Sequence, residues 1–183
     1  MALPDSREIE VIETQRIYEG AVVRLDVDRV RWPDGRETMR ETVRHPGAVV
    51  ILPVLADGRV LLLRQFRYAV RQTLWELPAG TLDQEAESIE ACAHRELEEE
   101  TGYRAGRLTL LGDFFTAPGF ADERMYAFLA EDLQPTRQHL ESDEFIEVVP
   151  LTWAELRAKI AGNEIHDAKT LAALHLYHLR AGA

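Results

Sequence analysis

Residues 77–103 constrain the fold and the chemistry of this chain more than any other segment. They read as the end of a strand, a glycine turn and a loop, followed by a helix of about 13 residues. Because a helix turns about 100° per residue, Glu96 and Glu100 lie about 40° apart, on the side that carries the helix's apolar side chains. The spacing therefore predicts that two carboxylates project toward the protein interior, whereas Glu98 lies on the outer face.

An acidic run on a helix is usually a solvated surface, which predicts carboxylates opposite the apolar side chains. Glu96 and Glu100 do not fit that interpretation. Like charges at this spacing repel each other, and inward carboxylates are costly to bury without a compensating cation or donor. Carboxylate oxygens are hard ligands that suit Mg2+ or Mn2+, and the neighbouring Arg95 can hold one carboxylate by charge-assisted hydrogen bonds. The segment therefore indicates a divalent-metal site.

The same residues resemble the Nudix box, G-x5-E-x7-R-E-U-x-E-E-x-G-U. Gly80, Glu87 and residues 95–103 occupy its specified positions, with one departure. Six residues rather than five separate Gly80 from Glu87. We interpret this as one extra residue in the loop 81–86, where insertions are tolerated. A pattern with this many fixed positions is a specific signal.

Composition limits the classes of function that are open to the chain. Its 183 residues suffice for a sizeable core, while a net charge of −11 argues against electrostatic binding to nucleic acid. Cys92 is the single cysteine, which excludes an internal disulfide, and we expect it to pack in the core rather than act as a nucleophile. No apolar run reaches the length of a membrane span, and the N-terminus lacks a signal-peptide core. We expect a cytoplasmic protein without a membrane partner.

Hydrophobic patterns predict the remaining elements. Alternation predicts N-terminal strands at residues 9–17, 22–31 and 38–44. The continuous apolar run 48–55 predicts a strand covered on both faces, in a hairpin with residues 60–65 and followed by a basic loop at 65–73. Further strands are expected at 108–115, 125–131 and 145–151, and helices at 153–161 and 168–179.

This order predicts an α+β fold, with an α/β/α sandwich around a mixed central sheet. A small antiparallel sheet precedes it. We assign residues 1–44 to N-terminal strands that mediate dimerisation and residues 45–183 to the Nudix hydrolase domain.

Beyond the box, roughly residues 16–180 resemble the ADP-ribose pyrophosphatase branch of the Nudix family. A proline about fifteen positions past the box marks that branch, and Pro118 follows Tyr103 by fifteen residues. The segments 44–49, 65–67, 75–80 and 143–148 are also similar to it. The resemblance implies hydrolysis of ADP-ribose to AMP and ribose 5-phosphate by a homodimer whose N-terminal sheets complete the partner's site. The alternatives are other nucleotide sugars, such as UDP-glucose or GDP-mannose, and a sensor that binds ADP-ribose without hydrolysing it.

The resemblance also implies roles for individual residues. Mg2+, with Mn2+ or Zn2+ as possible substitutes, would be held by Glu96, Glu99, Glu100 and the backbone carbonyl of Ala79. The substrate would contact Arg44 of the partner subunit, Arg67, Gly80 and Glu123. The catalytic set would be Arg95 and Glu99 together with Glu144, which would orient or deprotonate the water, and Glu141 is the alternate for that role.

Two points stay open in the sequence. Arg64, Arg67 and Arg71 could meet phosphates, or could equally balance the charge of the acidic helix. Some relatives stack the base on aromatic side chains of the N-terminal strands, where this chain has Val22 and Arg40. The base preference is therefore not fixed by the resemblance.

Overall fold

The computed structural model describes residues 5, 8–84, 86–140 and 144–182. Glu141 lies outside these residues. The chain divides into two compact units, one formed by Met1–Pro46 and Phe115–Arg124 and the other by Gly47–Phe114 and Met125–Ala183.

Twelve strands and three helices are found in the described part of the chain. The strands are β1 (Glu10–Glu19), β2 (Arg24–Arg31), β3 (Glu37–Arg44), β4 (Ala48–Pro53), β5 (Val60–Arg67), β6 (Gln72–Glu76), β7 (Ala79–Thr81), β8 (Tyr103–Arg104), β9 (Arg107–Phe115), β10 (Arg124–Glu131), β11 (Gln134–Pro135) and β12 (Ile146–Leu151). The helices are α1 (Ile89–Thr101), α2 (Trp153–Ala161) and α3 (Ala168–Ala181).

The first unit contains an antiparallel sheet in the order β1-β2-β3, so the three predicted N-terminal strands are confirmed. The buried face of β2 includes two carboxylates, Asp26 and Asp28. Arginines from both neighbouring strands compensate them, since Arg16 donates to Asp26 and Arg44 donates to both. This unit is therefore held by partly buried ion pairs as well as by apolar packing.

Strand β4 lies at the centre of the second unit, in a mixed sheet of order β7-β4-β10-β9. It runs parallel to β10 and antiparallel to β7. Its six residues are all buried, and alternate ones point to opposite faces. Val49 and Ile51 pack with the apolar side of α1, whereas Val50 and Leu52 pack in a second cluster with residues of α2 and α3. The predicted strand covered on both faces is confirmed, and so is the α+β class with its mixed sheet.

The predicted hairpin between residues 48–55 and 60–65 is wrong. In the described part of the chain, an isolated antiparallel bridge between Val54 and Val60 and a hydrogen bond from the Leu55 N–H to the Arg59 carbonyl join the two segments at the turn, while β5 pairs with β12 and β6 in a separate antiparallel sheet. Both edges of β4 are occupied by β7 and β10, so β5 has no free edge to pair with. The predicted basic loop at 65–73 is also too long, because β5 extends to Arg67 and pairs with β6 from Gln72.

Helices α2 and α3 close the second unit. Thr152 and Glu155 form the predicted capping box at the start of α2, and Asp167 caps α3 by accepting from the Thr170 N–H. The rings of Trp153 and Tyr177 stack at 5.0 Å and join the two helices. None of the described helices is long and apolar enough to cross a membrane.

Candidate active site

Helix α1 has the 13 residues that the sequence predicts. The Ser88 side chain accepts a hydrogen bond from the Ala91 N–H at its start, and Gly102 ends it in the left-handed region at φ 71°. Cys92 is fully buried on its inner side, and burial is the main cause that raises the pKa of the thiol to about 12. The cysteine is therefore a packing residue, as predicted.

Glu100 is buried in the interior, with 2% of its surface exposed. One of its oxygens, Oε2, accepts a hydrogen bond of 2.9 Å from the backbone N–H of Ala79. Burial raises the pKa of Glu100 to about 8, against the opposing effect of this hydrogen bond. Burial likewise raises the pKa of Glu96 to about 7, although Arg95 opposes it. The two inward carboxylates therefore hold protons more tightly than ordinary glutamates.

Gly80 makes room for one of these carboxylates. It lies in β7, which pairs with β4. A Cβ atom added to Gly80 would lie 1.8 Å from Cδ of Glu96, much closer than two carbon atoms can approach. The glycine of the motif is thus explained by the close approach of Glu96 to the strand.

Arg95 organises three carboxylates around one guanidinium. It meets Glu87 through two parallel hydrogen bonds of 3.0 Å, from Nε and from Nη2. Its Nη1 donates to Glu96 at 2.7 Å and to Glu99 at 3.0 Å. The bidentate pair lowers the pKa of Glu87, chiefly through the hydrogen bonds from Arg95.

The extra residue in the loop 81–86 does not displace Glu87 from Arg95. Next to Glu87, Ala86 adopts a left-handed conformation with φ 63°, and the Glu87 N–H donates to the carbonyl of Gln84. The insertion therefore leaves the motif's ion pair intact.

The carboxylate pair fits a divalent cation in its chemistry. Glu96 and Glu100 are both largely buried, the charge of Glu96 helps to raise the pKa of Glu100, and hard oxygens are the ligands that Mg2+ prefers. Within the described ranges, no three acidic, histidine or cysteine side chains are already arranged as a ligand set. Glu96 and Glu99 both accept hydrogen bonds from Arg95, and the roles of Glu96, Glu99 and Glu100 as metal ligands stay predictions.

Glu144 and Arg67 both lie within electrostatic reach of this pair. The charge of Glu144 contributes to the raised pKa values of Glu96 and Glu100, and Arg67 acts on Glu100 in the opposite sense. The Nε and Nη2 of Arg67 are engaged with the carboxylate of Glu76, at 2.9 and 2.8 Å. Arg67 thus balances a buried charge in addition to any role with phosphate.

Two further arginines of the basic segment have partners away from the carboxylate pair. Arg64 donates to Glu147 at 3.4 Å, and Arg71 lies over the ring of Tyr68. For Arg64 and Arg71, these contacts favour the charge-balance and packing interpretation.

The predicted substrate residues Arg44 and Glu123 both belong to the first unit. Arg44 donates to Asp26, Asp28 and Asp122 at 3.0–3.2 Å. Glu123 accepts a hydrogen bond of 2.6 Å from the Thr116 hydroxyl. Their contacts with a substrate stay predictions.

The sequence interpretation did not assign a role to Glu76 and Lys169. Glu76 ends β6 and is 1% exposed, and Lys169 in the first turn of α3 donates to it. The available signal was a carboxylate between the apolar residues Trp75 and Leu77, which indicates a buried charge that needs a partner. The partner itself lies 93 residues away and has no local signal.

Comparison with known proteins identifies relatives over nearly the whole chain. The ADP-ribose pyrophosphatase of Bacillus subtilis (strain 168) is 41% identical over 177 residues, which cover 96% of this chain and 95% of the relative. The methanol dehydrogenase activator of Bacillus methanolicus is 37% identical over 175 residues, 94% of each protein. The GDP-mannose pyrophosphatase of Yersinia pestis (strain Pestoides F) is 36% identical over 137 residues, 70% of this chain and 68% of the relative.

The fold has a counterpart among solved structures. A crystal structure of an ADP compounds hydrolase superposes with a TM-score of 0.83, at 21% identity, over 96% of this chain and 95% of that one. The family model of the NUDIX domain matches residues 43–174. The chain therefore belongs to the NUDIX domain family.

Proposed function

We propose that this protein hydrolyses the pyrophosphate bond of ADP-ribose to give AMP and ribose 5-phosphate, with Mg2+ as its cofactor. The observation that carries the proposal is the inward carboxylate pair, Glu96 and Glu100, within a chain 41% identical to an ADP-ribose pyrophosphatase. A protein that only bound its ligand would have no need of two buried carboxylates that repel each other when both are ionised. The sensor alternative is therefore less well supported.

Glu96, Glu100 and the Ala79 carbonyl would hold the metal. Glu99 would be a further ligand once its hydrogen bond with Arg95 is broken. Bound there, a divalent cation would neutralise charge on the diphosphate and lower the pKa of a water molecule. Arg95 keeps three carboxylates in fixed positions, and Gly80 admits Glu96 to the site. These residues supply preorganisation, which lowers the cost of reaching the transition state.

The remaining roles belong to groups around the pair. Glu144 would accept the proton of the attacking water, and its electrostatic effect on Glu96 and Glu100 supports this position. Glu141 is the alternate base. Arg67 would donate to the diphosphate through Nη1, because its other donors are engaged with Glu76. Glu123 would hydrogen-bond the terminal ribose.

We further propose a homodimer in which Arg44 of the partner subunit completes each site. The N-terminal sheet supports this assembly, since it exposes large apolar side chains that a partner would cover, among them Val11, Ile17, Tyr18 and Met39. We place the enzyme in the cytoplasm, where charged nucleotide sugars are retained.

Other nucleotide sugars form a second candidate substrate class. Where some relatives have aromatic side chains that stack on the base, this chain has Val22, which is 43% exposed, and Arg40. The guanidinium of Arg40 lies over the Trp32 ring, 5.2 Å from its centroid. A relative named GDP-mannose pyrophosphatase also favours this class. Identity and share of the chain covered are both higher for the ADP-ribose pyrophosphatase, which ranks ADP-ribose first.

A substrate panel tests the proposal. ADP-ribose, GDP-mannose, UDP-glucose and a dinucleotide would be incubated with the protein and Mg2+, and all products identified by chromatography. We expect the highest kcat/KM with ADP-ribose, with AMP and ribose 5-phosphate in equal amounts and no free phosphate. A higher kcat/KM for another nucleotide sugar would show that this sugar, and not ADP-ribose, is the preferred substrate. Binding of ADP-ribose without turnover would show that the protein is a sensor.

A further inference from the structure

Glu76 is a buried carboxylate that two cations share. Arg67 grips it through two hydrogen bonds, Nε to Oε1 at 2.9 Å and Nη2 to Oε2 at 2.8 Å. The Nζ of Lys169 donates to the same Oε2. Although burial alone would raise the pKa of Glu76, the hydrogen bonds and charges of the two cations lower it. Glu76 is therefore ionised in the interior.

Lys169 is itself fixed in place by the start of α3. Its Nζ also donates to Asp167 at 2.9 Å, and Asp167 is the residue that caps the helix. The hydroxyl of Thr170 accepts a hydrogen bond of 2.8 Å from the Leu77 N–H. The first turn of α3 thus holds the backbone of Leu77 as well as the side chain of Glu76.

The backbone that follows Leu77 connects the start of α3 to the carboxylate pair Glu96 and Glu100. Two residues after Leu77, the Ala79 N–H donates to Glu100, and the intervening Pro78 carbonyl accepts from the Ile51 N–H of β4. The charge of Arg67 acts on Glu100, so the guanidinium lies near the site as well. The helix start is thus connected to both a substrate-binding candidate and a metal-binding candidate.

The charges of the cluster are balanced as long as Lys169 is present. Two cations, Arg67 and Lys169, face two carboxylates, Glu76 and Asp167. Without Lys169 the cluster would carry one net negative charge beside the proposed site for an anionic diphosphate. Glu76 would then depend on Arg67 alone. Within the described part of the chain, Arg67 Nη1 makes no hydrogen bond, so it is the donor available to a ligand.

We propose that Lys169 is a positioning residue for the hydrolysis. By sharing Glu76, it holds Arg67 in the orientation that leaves Nη1 for the substrate's diphosphate. The inference rests on the proposed function for the identity of the substrate, although the effect of Lys169 on Arg67 can be measured without any substrate. A merely stabilising role would lower the melting temperature and leave the affinity of the folded enzyme unchanged.

Steady-state kinetics with ADP-ribose and saturating Mg2+ test the effect on substrate binding. The substitution Lys169→Met removes the charge while keeping a long side chain, and Lys169→Arg retains the charge. For K169M we expect KM to rise roughly tenfold while kcat changes less than about threefold, as for the loss of an interaction made in both ground and transition states. K169R should recover KM to within about threefold of the wild type.

The chain offers a matched control in its second lysine, since Lys159 and Lys169 are the only two. Lys159 pairs with the exposed Glu164 at 2.8 Å and lies over the Trp75 ring. K159M should leave KM for ADP-ribose unchanged. A rise in KM as large as that of K169M would overturn the inference, because any lost cation would then have the same effect.

Nuclear magnetic resonance of the metal-free protein tests the effect on Arg67 directly. The Nε–H signal of Arg67, assigned by its loss in Arg67→Lys, should be sharp in the wild type and in K169R, and broadened or shifted in K169M. An unchanged Nε–H signal in K169M would overturn the inference whatever the activity.

The two measurements separate this inference from the proposed function. If the wild type hydrolyses ADP-ribose and K169M keeps the wild-type KM, the inference fails and the proposed function stands. If the Arg67 signal responds to K169M but the wild type hydrolyses no nucleotide sugar, the positioning of Arg67 stands and the proposed function fails.

Discussion

Gly80 and Glu96 approach so closely that a Cβ at position 80 would lie 1.8 Å from the glutamate's Cδ. The Glu96 side chain is the flexible partner and can move away, whereas β7 is fixed by its pairing with β4. A larger residue at position 80 would therefore displace a proposed metal ligand while leaving the fold intact.

The substitution Gly80→Ala should lower the apparent affinity for Mg2+ or the activity by about 10- to 100-fold, as is usual for changes that move a ligand indirectly. The melting temperature of the metal-free protein should change little. Mg2+ titrations of activity would measure the first effect and calorimetry the second. Full activity at the wild-type Mg2+ concentration would show that Glu96 is not a ligand.

The buried carboxylate of Glu100 should be essential to turnover. We expect Glu100→Gln to keep the circular dichroism spectrum and to lower kcat by about a thousandfold in Mg2+, because a neutral amide binds a hard cation poorly. Glu98→Gln, on the outer side of the same helix, should change kcat less than about twofold. If the kcat of E100Q were within tenfold of the wild-type value, Glu100 would not be a metal ligand.

The raised pKa values of Glu96 and Glu100, about 7 and 8, predict how stability depends on pH without metal. A carboxyl group whose folded pKa exceeds its unfolded value stabilises the fold while it is protonated, and that stability is lost as pH rises toward the folded pKa. The melting temperature in EDTA should therefore fall between about pH 5 and pH 8 and level off at higher pH. Mg2+ should restore it most at the alkaline end, where no protons need to be displaced.

The same measurement on E100Q has a definite expectation. Because the amide does not titrate, the fall in melting temperature should be shallower than in the wild type, whereas E98Q should keep the wild-type slope. Identical slopes in all three proteins would mean that the carboxylate pair does not titrate in this range.

The proposed assembly of the site across two subunits predicts complementation between inactive variants. Sedimentation should show a dimer, and Arg44→Gln and E100Q should each have low activity alone. In a mixed dimer, one site would combine Arg44 from the E100Q chain with Glu100 from the R44Q chain. Mixing and exchanging the two variants should therefore restore up to about a quarter of wild-type activity, the expectation for random pairing. A fully active 20.8 kDa monomer would contradict the proposal.

The position of attack is open to isotopic labelling. If Glu144 activates a water molecule directed at the adenosyl phosphorus, turnover of ADP-ribose in 18O-water should label AMP and leave ribose 5-phosphate unlabelled. Mass spectrometry of both products measures this. Label in ribose 5-phosphate would mean that the substrate lies in the opposite direction, and the roles of Arg67, Glu123 and Glu144 would change with it.

The sequence could predict helix α1 because its signals are local and periodic. The cap at Ser88, the left-handed Gly102 and the spacing of the glutamates all lie within α1 or beside it. The family match confirms the assignment that these residues indicate. The buried strand β4 was predictable for the same reason, because its apolar residues form one continuous run.

What the sequence did not predict depends on distant partners. The five residues of β6 and the three of β7 are too short for a periodic signal, and each is defined by the strand that it pairs with. The wrong hairpin between β4 and β5 arose from chain proximity, whereas the competition for the edges of β4 decided the pairing. The ion pair of Glu76 and Lys169 spans 93 positions and follows only from the folded chain.

The two-sided burial of β4 separates two kinds of mutation within six consecutive residues. Removing Val50 or Leu52 side-chain atoms would open a void beneath the C-terminal helices, at a cost of about 1–5 kcal/mol, and would leave α1 in place. The same change at Ile51 would act on the packing beneath α1, whose inner side carries the proposed metal ligands Glu96 and Glu100. Changes at even positions of β4 would thus test stability with α1 left in place, whereas changes at odd positions would test stability together with the position of α1.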